Sequence, residues 1–295
     1  MTNDFTIENG VLKHYCGTAE TVVVPEDCVC IGKCVFWDCT SLRSVTIPEG
    51  CEDIGDSAFR GCTSLESITI PESCRHIGVL AFNNCTSLGS ITIPEGCACI
   101  DKHTFSNCTS LSSIGIPAGC RRIDECAFWG CRSLESVTIP EGCEDIGEYA
   151  FYNCDNLGQV NIPEGCRHIG IRAFEGCTSL GSVAIPESCR HISVAAFGGC
   201  KSLVSVRIPV GCRSIDDWAF KGCEGLGSIT IPEGCRSIGE RAFGDCASLT
   251  DVYIPATVCK LGKDMLSGAP AVIHTPPGSP AAIWAEKNGI TVISC

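Results

Sequence analysis

A proline returns every 23 residues along most of this chain, and no other feature constrains its fold as strongly. The eleven prolines follow one another without an insertion: Pro25, Pro48, Pro71, Pro94, Pro117, Pro140, Pro163, Pro186, Pro209, Pro232 and Pro255. A fixed period of this length is typical of a solenoid, in which a short unit coils and stacks on the preceding unit. Although 295 residues could form two ordinary domains, the uninterrupted repeat predicts one elongated domain.

A single unit is predicted to contain a strand and a turn. Residues 65–70 end in an alternation of apolar and small polar side chains that is rich in β-branched types, and this pattern indicates a short strand. Pro71 ends the strand because proline has no N–H for a ladder. Residues 55–59 are predicted to form a short helical turn, with Asp56 as its N-cap and Gly61 at its end.

The repeated motif resembles that of the BspA-like leucine-rich repeat family, a leucine-rich repeat of 23 residues. The residues that carry the resemblance recur together through about Ile254, and in one unit they are Ile47-Pro48, Ile54-Gly55, Ala58-Phe59, Gly61-Cys62 and Leu65. The resemblance implies an α/β repeat solenoid, a right-handed superhelix with a parallel strand-lined face, short helical turns on the opposite side, and capped ends.

The resemblance also implies a function and a location. Members of the family are commonly surface-exposed or secreted proteins that bind host or matrix macromolecules. This chain departs from the family pattern at Cys51 and its equivalents, where the family usually has an aliphatic residue. Because cysteine replaces an aliphatic residue there, the redox state of these core positions is left open, while the implied fold is unchanged.

We divide the chain into three parts. Residues 1–24 are predicted to form an N-terminal hairpin cap, residues 25–270 the solenoid of eleven units, and residues 271–295 a strand-helix-strand cap. The last unit is degenerate, since Leu266 replaces the phenylalanine and Ala269 replaces the second cysteine. Caps are needed because the terminal coil of an uncapped solenoid exposes its apolar core and its unpaired strand edges to water.

Local signals support both caps. The dipeptide Asn9-Gly10 lies between two short apolar runs and predicts a tight hairpin turn. Near the other end, Ser279 as N-cap and Gly289 after the last turn predict a helix over residues 280–288.

The charge of the chain excludes some partners. It carries 21 basic and 34 acidic residues, a net charge of −13, and no apolar run of the ~20 residues that span a bilayer. Nucleic acid and anionic membranes are therefore disfavoured as partners. The first residues contain no basic and apolar leader, which predicts a cytoplasmic protein if Met1 is the native start. The family resemblance implies the cell surface or secretion instead, and both locations stay open.

Cysteine is unusually abundant, with 27 residues in the chain. Twenty of them form two columns at the repeat spacing, one from Cys28 to Cys235 and the other from Cys39 to Cys246. Free cysteine is often buried and packs as a small apolar residue, so we predict that these columns fill the core. A continuous disulfide ladder is disfavoured because β-carbons of parallel neighbours are slightly too far apart, whereas isolated bridges stay open.

Two surfaces are candidates for partner binding. On the predicted strand face, only Arg43, Arg207 and Tyr253 have the side chains that dominate binding hot spots. The other exposed strand positions are mostly small and uncharged, so a plain solvated sheet is the alternative. The second surface is a basic stripe, with His168 and His191 adjacent to it, formed by Arg167, Arg190, Arg213 and Arg236.

The basic stripe has two interpretations. It could meet an acidic or sulfated ligand, or the glutamates that follow the repeat prolines could neutralise it. Equivalent residues of neighbouring coils are ~4.8 Å apart. We therefore expect ion pairs of Glu144 with Arg121 and Arg167. A further pair is expected between Glu52 and Arg75, although such surface pairs contribute little to stability.

No motif predicts a metal, a cofactor or a catalytic centre. Cys30, Cys34 and either His14 or Cys16 are conceivable zinc ligands, but the sequence contains no paired Cys-x-x-Cys framework. There is also no glycine-rich phosphate loop and no nucleophile-elbow serine. We predict a non-enzymatic scaffold for binding or adhesion, whose partner is a protein or matrix macromolecule. The alternative is an intracellular scaffold or structural repeat protein with reduced, buried thiols.

Overall fold

The computed structural model describes residues 4–295, which form a parallel-strand solenoid of about 12 turns. Each coil consists of three segments that stack on the equivalent segments of the next coil. The turn segments are hydrogen-bonded between successive coils, and the two strand segments pair in runs of two to five strands. The solenoid predicted from the sequence is therefore confirmed. Its three-sided cross-section differs from the predicted arrangement of one strand-lined face with helical turns opposite.

The first segment is a short strand that ends before the repeat proline. We call the stack of these strands the first ladder: β3 (Thr21–Val23), β5 (Ser44–Thr46), β7 (Ser67–Thr69), β9 (Ser90–Thr92), β11 (Ser113–Gly115), β13 (Ser136–Thr138), β15 (Gln159–Asn161), β17 (Ser182–Ala184), β19 (Ser205–Arg207), β21 (Ser228–Thr230), β23 (Asp251–Tyr253) and β25 (Val272–Thr275). Its strands are parallel, and up to β23 paired residues are 23 positions apart, as Val45 and Ile68 are; pairing is interrupted after β7, β11 and β19. The central residue of each strand points into the core.

The second segment is a strand of only two residues, which the sequence analysis did not predict. The stack of these strands is the second ladder: β4 (Cys30–Ile31), β6 (Asp53–Ile54), β8 (His76–Ile77), β10 (Cys99–Ile100), β12 (Arg122–Ile123), β14 (Asp145–Ile146), β16 (His168–Ile169), β18 (His191–Ile192), β20 (Ser214–Ile215), β22 (Ser237–Ile238) and β24 (Lys260–Leu261). Its isoleucine column is buried, while the preceding residues face outward. A polar residue followed by one isoleucine is too short a pattern to distinguish a strand from a turn.

The third segment is a series of turns, which we call the turn row. Within residues 55–62, the N–H groups of Ser57, Phe59 and Gly61 donate to carbonyls of the next coil, each at 2.8 Å. The N–H groups between them donate three residues back within the same coil. Alternation of the two bond types keeps the backbone from forming an α-helix here, so the predicted helical turns are not confirmed.

Two positions of the turn row have a left-handed backbone in every coil. One is the column of Gly61, which is filled only by glycine, asparagine and aspartate, the residues that tolerate positive φ best. The other is the column of Ser57, where φ is 55°. Bulky residues also occupy that column, including Leu80 at 60° and Trp218 at 58°. The inter-coil hydrogen bonds therefore impose the conformation against the intrinsic preference of these side chains.

Between residues 25 and 270 no coil contains an α-helix, so the α/β class is not confirmed. Helix α1 (Pro280–Lys287) follows the last coil, with Ser279 as its N-cap. It packs on β25, and β26 (Val292–Ser294) then pairs in parallel with that strand. The helix predicted at this place is present. The handedness of the superhelix stays a prediction.

The N-terminal end is covered by a hairpin of β1 (Phe5–Glu8) and β2 (Val11–Tyr15). Asn9 and Gly10 have φ values of 51° and 76°, as a two-residue hairpin turn requires. Residues 1–3 of the predicted cap lie outside the described residues. The division of the chain at residues 24/25 and 270/271 stays our interpretation.

A row of ten phenylalanines runs through the core: Phe36, Phe59, Phe82, Phe105, Phe128, Phe151, Phe174, Phe197, Phe220 and Phe243. All are fully buried, and successive rings are nearly parallel, with centroids 4.9 to 5.6 Å apart. Tyr15 continues the stack at the N-terminal end, 5.0 Å from Phe36. Leu266 takes the equivalent place in the last coil and is also buried.

The two cysteine columns line the same core as free thiols, and all but Cys39 are buried. Apart from Cys39 and Cys97, the members of each column share one kind of carbonyl acceptor. Cys51 donates its S–H to the carbonyl of Asp53 at 3.5 Å, and Cys62 donates to the carbonyl of Phe36 in the preceding coil at 3.0 Å. Cysteine therefore acts here as a small apolar residue that also satisfies a carbonyl.

Truncation of a central ring tests the phenylalanine row. Phe151 is fully buried between Phe128 and Phe174, whose ring centroids are 5.1 and 5.2 Å away. Phe151→Ala should lower the free energy of unfolding by about 3 to 5 kcal/mol, because neighbouring coils cannot close the cavity. Chemical denaturation measures this loss. A change below about 1 kcal/mol would show that the row is not inside the molecule.

A matched pair of glycine variants tests the left-handed column. Gly222 has φ of 73°, and an added Cβ would have its nearest neighbour 3.7 Å away, so Gly222→Ala isolates the backbone cost. That cost is about 1 to 2 kcal/mol. Gly227 has no atom within 4 Å of an added Cβ and no positive φ, so Gly227→Ala should leave stability unchanged or raise it slightly. Equal effects of the two variants in denaturant titrations would contradict the assigned conformation.

Candidate functional site

The candidate residues of the sheet face, the outer surface of the first ladder, are already engaged within the chain. Arg43 places Nη1 2.6 Å from Glu66 Oε1 and Nε 3.4 Å from a carboxylate oxygen of Glu20. Arg207 places Nη2 2.8 Å from Glu187 Oε1. These arginines therefore cross-link neighbouring coils.

Tyr253, the third candidate of the sheet face, lies at its C-terminal end. Its ring stacks on that of His274, with the centroids 4.3 Å apart. His274 Nε2 in turn lies 2.7 Å from Asp251 Oδ1, and this contact helps to lower the pKa of the Asp251 carboxyl, after the hydrogen bond from Thr250. Tyr253 is thus held at a fixed angle on the surface, far along the solenoid from Arg43.

The glutamates that follow the repeat prolines do not neutralise the basic stripe. Three of these carboxylates accept main-chain N–H groups of the next coil: Glu95 from Ala118 at 3.0 Å, Glu164 from Glu187 at 3.1 Å, and Glu187 from Val210 at 3.0 Å. The donor in each case is the residue after the next proline, where the first ladder has ended. These three glutamates therefore satisfy backbone groups of the next coil.

Of the predicted ion pairs, those of Glu144 are present and that of Glu52 with Arg75 is replaced by a different contact. Glu144 lies 3.8 Å from Arg121 and 3.7 Å from Arg167, as predicted. Arg75 instead donates to the main-chain carbonyl of Glu72 at 2.8 Å, rather than pairing with Glu52.

The remaining members of the basic stripe have no carboxylate partner within residues 4–295. Arg190 Nη1 lies 3.3 Å from the carbonyl of Gly211, and Arg236 Nη1 lies 3.5 Å from that of Thr257. A shallow groove of about 420 Å³ lies beside the stripe, lined by Arg167, His168, Ser188, Arg190 and His191. We call it the basic groove.

A third candidate surface, missed by the sequence analysis, lies on the turn row. His103, Trp129, Tyr152, Tyr149, Arg172 and Trp218 follow one another there along the solenoid axis, and we call them the aromatic belt. Trp129 has its ring centroid 6.0 Å from Tyr152, in an edge-to-face arrangement, and Tyr152 lies 5.6 Å from Tyr149. The Arg172 guanidinium lies over the Tyr149 ring at 5.7 Å. Trp129 and Trp218 remain 39% and 37% exposed.

A depression of about 440 Å³ adjoins the aromatic belt between Arg172 and Trp218. It exists because three positions of its lining are glycines, Gly198, Gly199 and Gly222. Glu175 also lines it, and its carboxylate lies 3.3 Å from the Arg172 guanidinium. Burial raises the pKa of Glu175, against the opposing effect of Arg172.

A sequence signal for the belt was available. Three of the four tryptophans, Trp37, Trp129 and Trp218, fall within two residues of the phenylalanine column, in the segment predicted to be helical. From the sequence pattern of a short helical turn, the direction in which each tryptophan side chain points could not be assigned. The repeated turn row fixes them outward, because the flanking N–H groups are committed to the neighbouring coil.

One group of possible metal ligands occurs within residues 4–295, and it differs from the cysteines considered from the sequence. Ligand atoms of His103, Glu125 and Cys126 lie within 4.8 Å of one another. The Glu125 carboxylate is 3.1 Å from the Lys102 ammonium, which already supplies it with a cation. Burial raises the pKa of the Cys126 thiol to about 11, which disfavours the thiolate that a metal needs. We assign no metal to this group.

The repeat matches a known family over most of its length. The profile of the BspA-type leucine-rich repeat region matches residues 6–135, 99–226 and 144–273, in six copies. The chain belongs to this family. No curated protein sequence matches this leucine-rich repeat protein. Within residues 4–295, no helix has the length and apolar character needed to cross a membrane.

Solved structures of similar architecture come from several bacteria. A leucine-rich cell surface protein of Faecalibacterium prausnitzii A2-165 is 25% identical, with a TM-score of 0.54 over 99% of this chain and 97% of that one. A leucine-rich repeat protein of Bacteroides ovatus is 24% identical, with a TM-score of 0.51 over the same shares. The pneumococcal vaccine antigen PcpA is 15% identical, with a TM-score of 0.60 over 100% and 98% of the two chains. The Bacteroides ovatus and pneumococcal structures, at 24% and 15% identity, show only that this chain shares their fold.

Proposed function

We propose that this leucine-rich repeat protein is a non-enzymatic scaffold that binds a protein partner through the aromatic belt. The observation that carries the proposal is the row of tryptophan, tyrosine and arginine side chains, since these residue types dominate the binding energy of protein interfaces. On the sheet face, by contrast, the exposed positions are mostly small and polar.

The belt is rigid before any partner arrives. Tyr149 donates its N–H to Ile171 of the next coil at 2.9 Å, and Trp218 donates to Glu240 at 2.9 Å. Edge-to-face contacts limit the rotamers of Trp129, Tyr152 and Tyr149 further. Binding of a partner therefore costs little side-chain entropy at this surface, because the side chains are already ordered.

The sheet-face candidates remain proposed contacts of secondary importance. Arg43 and Arg207 would have to exchange existing carboxylate partners for those of a ligand, so their net contribution is small. Tyr253 keeps 41% of its surface exposed and needs no such exchange.

We further propose that the protein acts at the cell surface. The Faecalibacterium prausnitzii relative is described as a cell surface protein, and the two chains align over nearly their full lengths. An elongated solenoid suits that place, because it offers a long surface for its mass.

A second function, an intracellular scaffold, is favoured by the state of the cysteines. All 27 are free thiols in the structure, and burial raises the pKa of column members such as Cys108, to about 12. Free thiols persist in reducing compartments. Thiol counting under denaturant, on protein freshly isolated from its native source, separates the two locations. Nearly 27 free thiols support the intracellular scaffold, and many bridges support export.

The aromatic belt is tested by binding to a panel of purified extracellular-matrix and cell-surface proteins. We expect at least one partner, and we expect Trp129→Ala and Trp218→Ala each to weaken its binding about tenfold, as hot-spot truncations do. Trp37→Ala is the matched control. Trp37 also lies on the turn row and is 50% exposed, but it stacks with Arg60 outside the belt.

Two results would count against this function. One is a panel in which no protein binds above background. The other is equal binding by the belt variants and the Trp37→Ala control. Circular dichroism of all three variants shows whether the solenoid is intact, and exposed side chains of this kind should leave it so.

A further inference from the structure

The basic groove is lined only by side chains that can donate hydrogen bonds. Arg167, His168, Ser188, Arg190 and His191 form its walls, and no carboxylate is among them. Arg167 is 68% exposed, and its contact with Glu144 is long at 3.7 Å. The groove is therefore a locally positive site on a chain whose net charge is −13.

Three acidic groups near the groove are held by other partners, whereas Asp145 is the neighbour of His168 in the second ladder. Glu164 and Glu187 accept main-chain N–H groups of the next coil. Asp216 lies 2.9 Å from the Ser214 hydroxyl, which in turn contacts His191 Nδ1 at 2.9 Å. Their engagement leaves the guanidinium of Arg190 without a carboxylate in the described part of the chain.

The positive charge continues along the solenoid axis beyond the groove. Arg213 donates its main-chain N–H to the carbonyl of Arg190 at 2.7 Å, and Arg236 donates to that of Arg213 at 2.8 Å. Because the backbones are bonded directly, the side chains start from positions one strand spacing apart, ~4.8 Å. The four arginines therefore occupy one column on successive coils.

We propose that the basic groove and its continuation through Arg213 and Arg236 bind a sulfated polysaccharide that lies along the solenoid axis. A chain with repeated sulfate esters presents repeated anions to the repeated arginines. Guanidinium groups form paired hydrogen bonds to such oxyanions. The proposal concerns a surface separate from the aromatic belt and does not depend on the function assigned to the belt.

Other polyanions fit this surface less well. Single-stranded nucleic acid is bound by stacking of bases on aromatic side chains, and neither tryptophan, tyrosine nor phenylalanine lines the groove. A single phosphorylated side chain would use one or two of the four arginines. The acidic remainder of the surface repels a polyanion elsewhere, so binding should be confined to the stripe and should weaken with salt.

The test measures binding of a size-defined heparin oligosaccharide to the full chain, in parallel with its desulfated form and with a single-stranded DNA of similar charge. We expect saturable binding of the sulfated form alone, which weakens when salt rises from ~0.05 to ~0.5 M. Arg190→Ala should lower the affinity about fivefold or more, and a further Arg213→Ala should lower it again.

Arg121→Ala is the matched control. Arg121 occupies the same column of the repeat and is 74% exposed, but Glu144 separates it from the stripe. This variant should bind within about twofold of the unchanged protein. Trp218→Ala should also bind normally, which distinguishes failure of this proposal from failure of the belt.

Three outcomes would overturn the proposal. Equal binding of the desulfated oligosaccharide would show that the sulfate esters are not recognised. Equal losses in Arg190→Ala and Arg121→Ala would show attraction by the whole column instead of the groove. Binding of the DNA as tight as that of the sulfated glycan would show a general polyanion surface.

Discussion

Hydrogen bonds between equivalent main-chain segments of successive coils are the interaction on which the rest of this molecule depends. They run along the turn row through successive coils and along both ladders with a few interruptions, so neighbouring coils are bonded on as many as three sides. The same bonds set the interval at which side chains repeat. That interval lets ten phenylalanine rings stack with nearly parallel planes and centroids 4.9 to 5.6 Å apart, and it brings the thiols from Cys62 to Cys246 in that column to a carbonyl of a preceding coil.

The repeat made the solenoid and its core predictable, because a column of identical apolar residues is expected to lie in the buried core of stacked coils. Phe59, Cys62 and Ile54 all lie inside for that reason. The turn row was not predictable, because its conformation comes from bonds to the next coil and not from local preference. Trp218 has a left-handed backbone there, which no propensity for tryptophan would suggest.

The surfaces were predicted less well than the core, since exposed columns vary from coil to coil and charge alone does not fix a partner. Glutamate beside arginine suggested neutralisation, yet Glu187 satisfies the N–H of Val210 through one oxygen and Arg207 through the other. The three sides of the solenoid therefore carry different kinds of exposed side chains. Small polar residues cover the first ladder, arginines precede the second, and aromatic residues occupy the turn row.

Amide hydrogen exchange, resolved by residue, tests the three-sided stacking most directly. We expect the turn-row amides of Ser57, Phe59 and Gly61, and their equivalents in central coils, to exchange as slowly as that of Val45 in the first ladder, whose strand is paired on both sides. In a solenoid whose coils are joined only by strands, the turn amides would face water. Rapid exchange at the turn row beside protected strands would contradict the account.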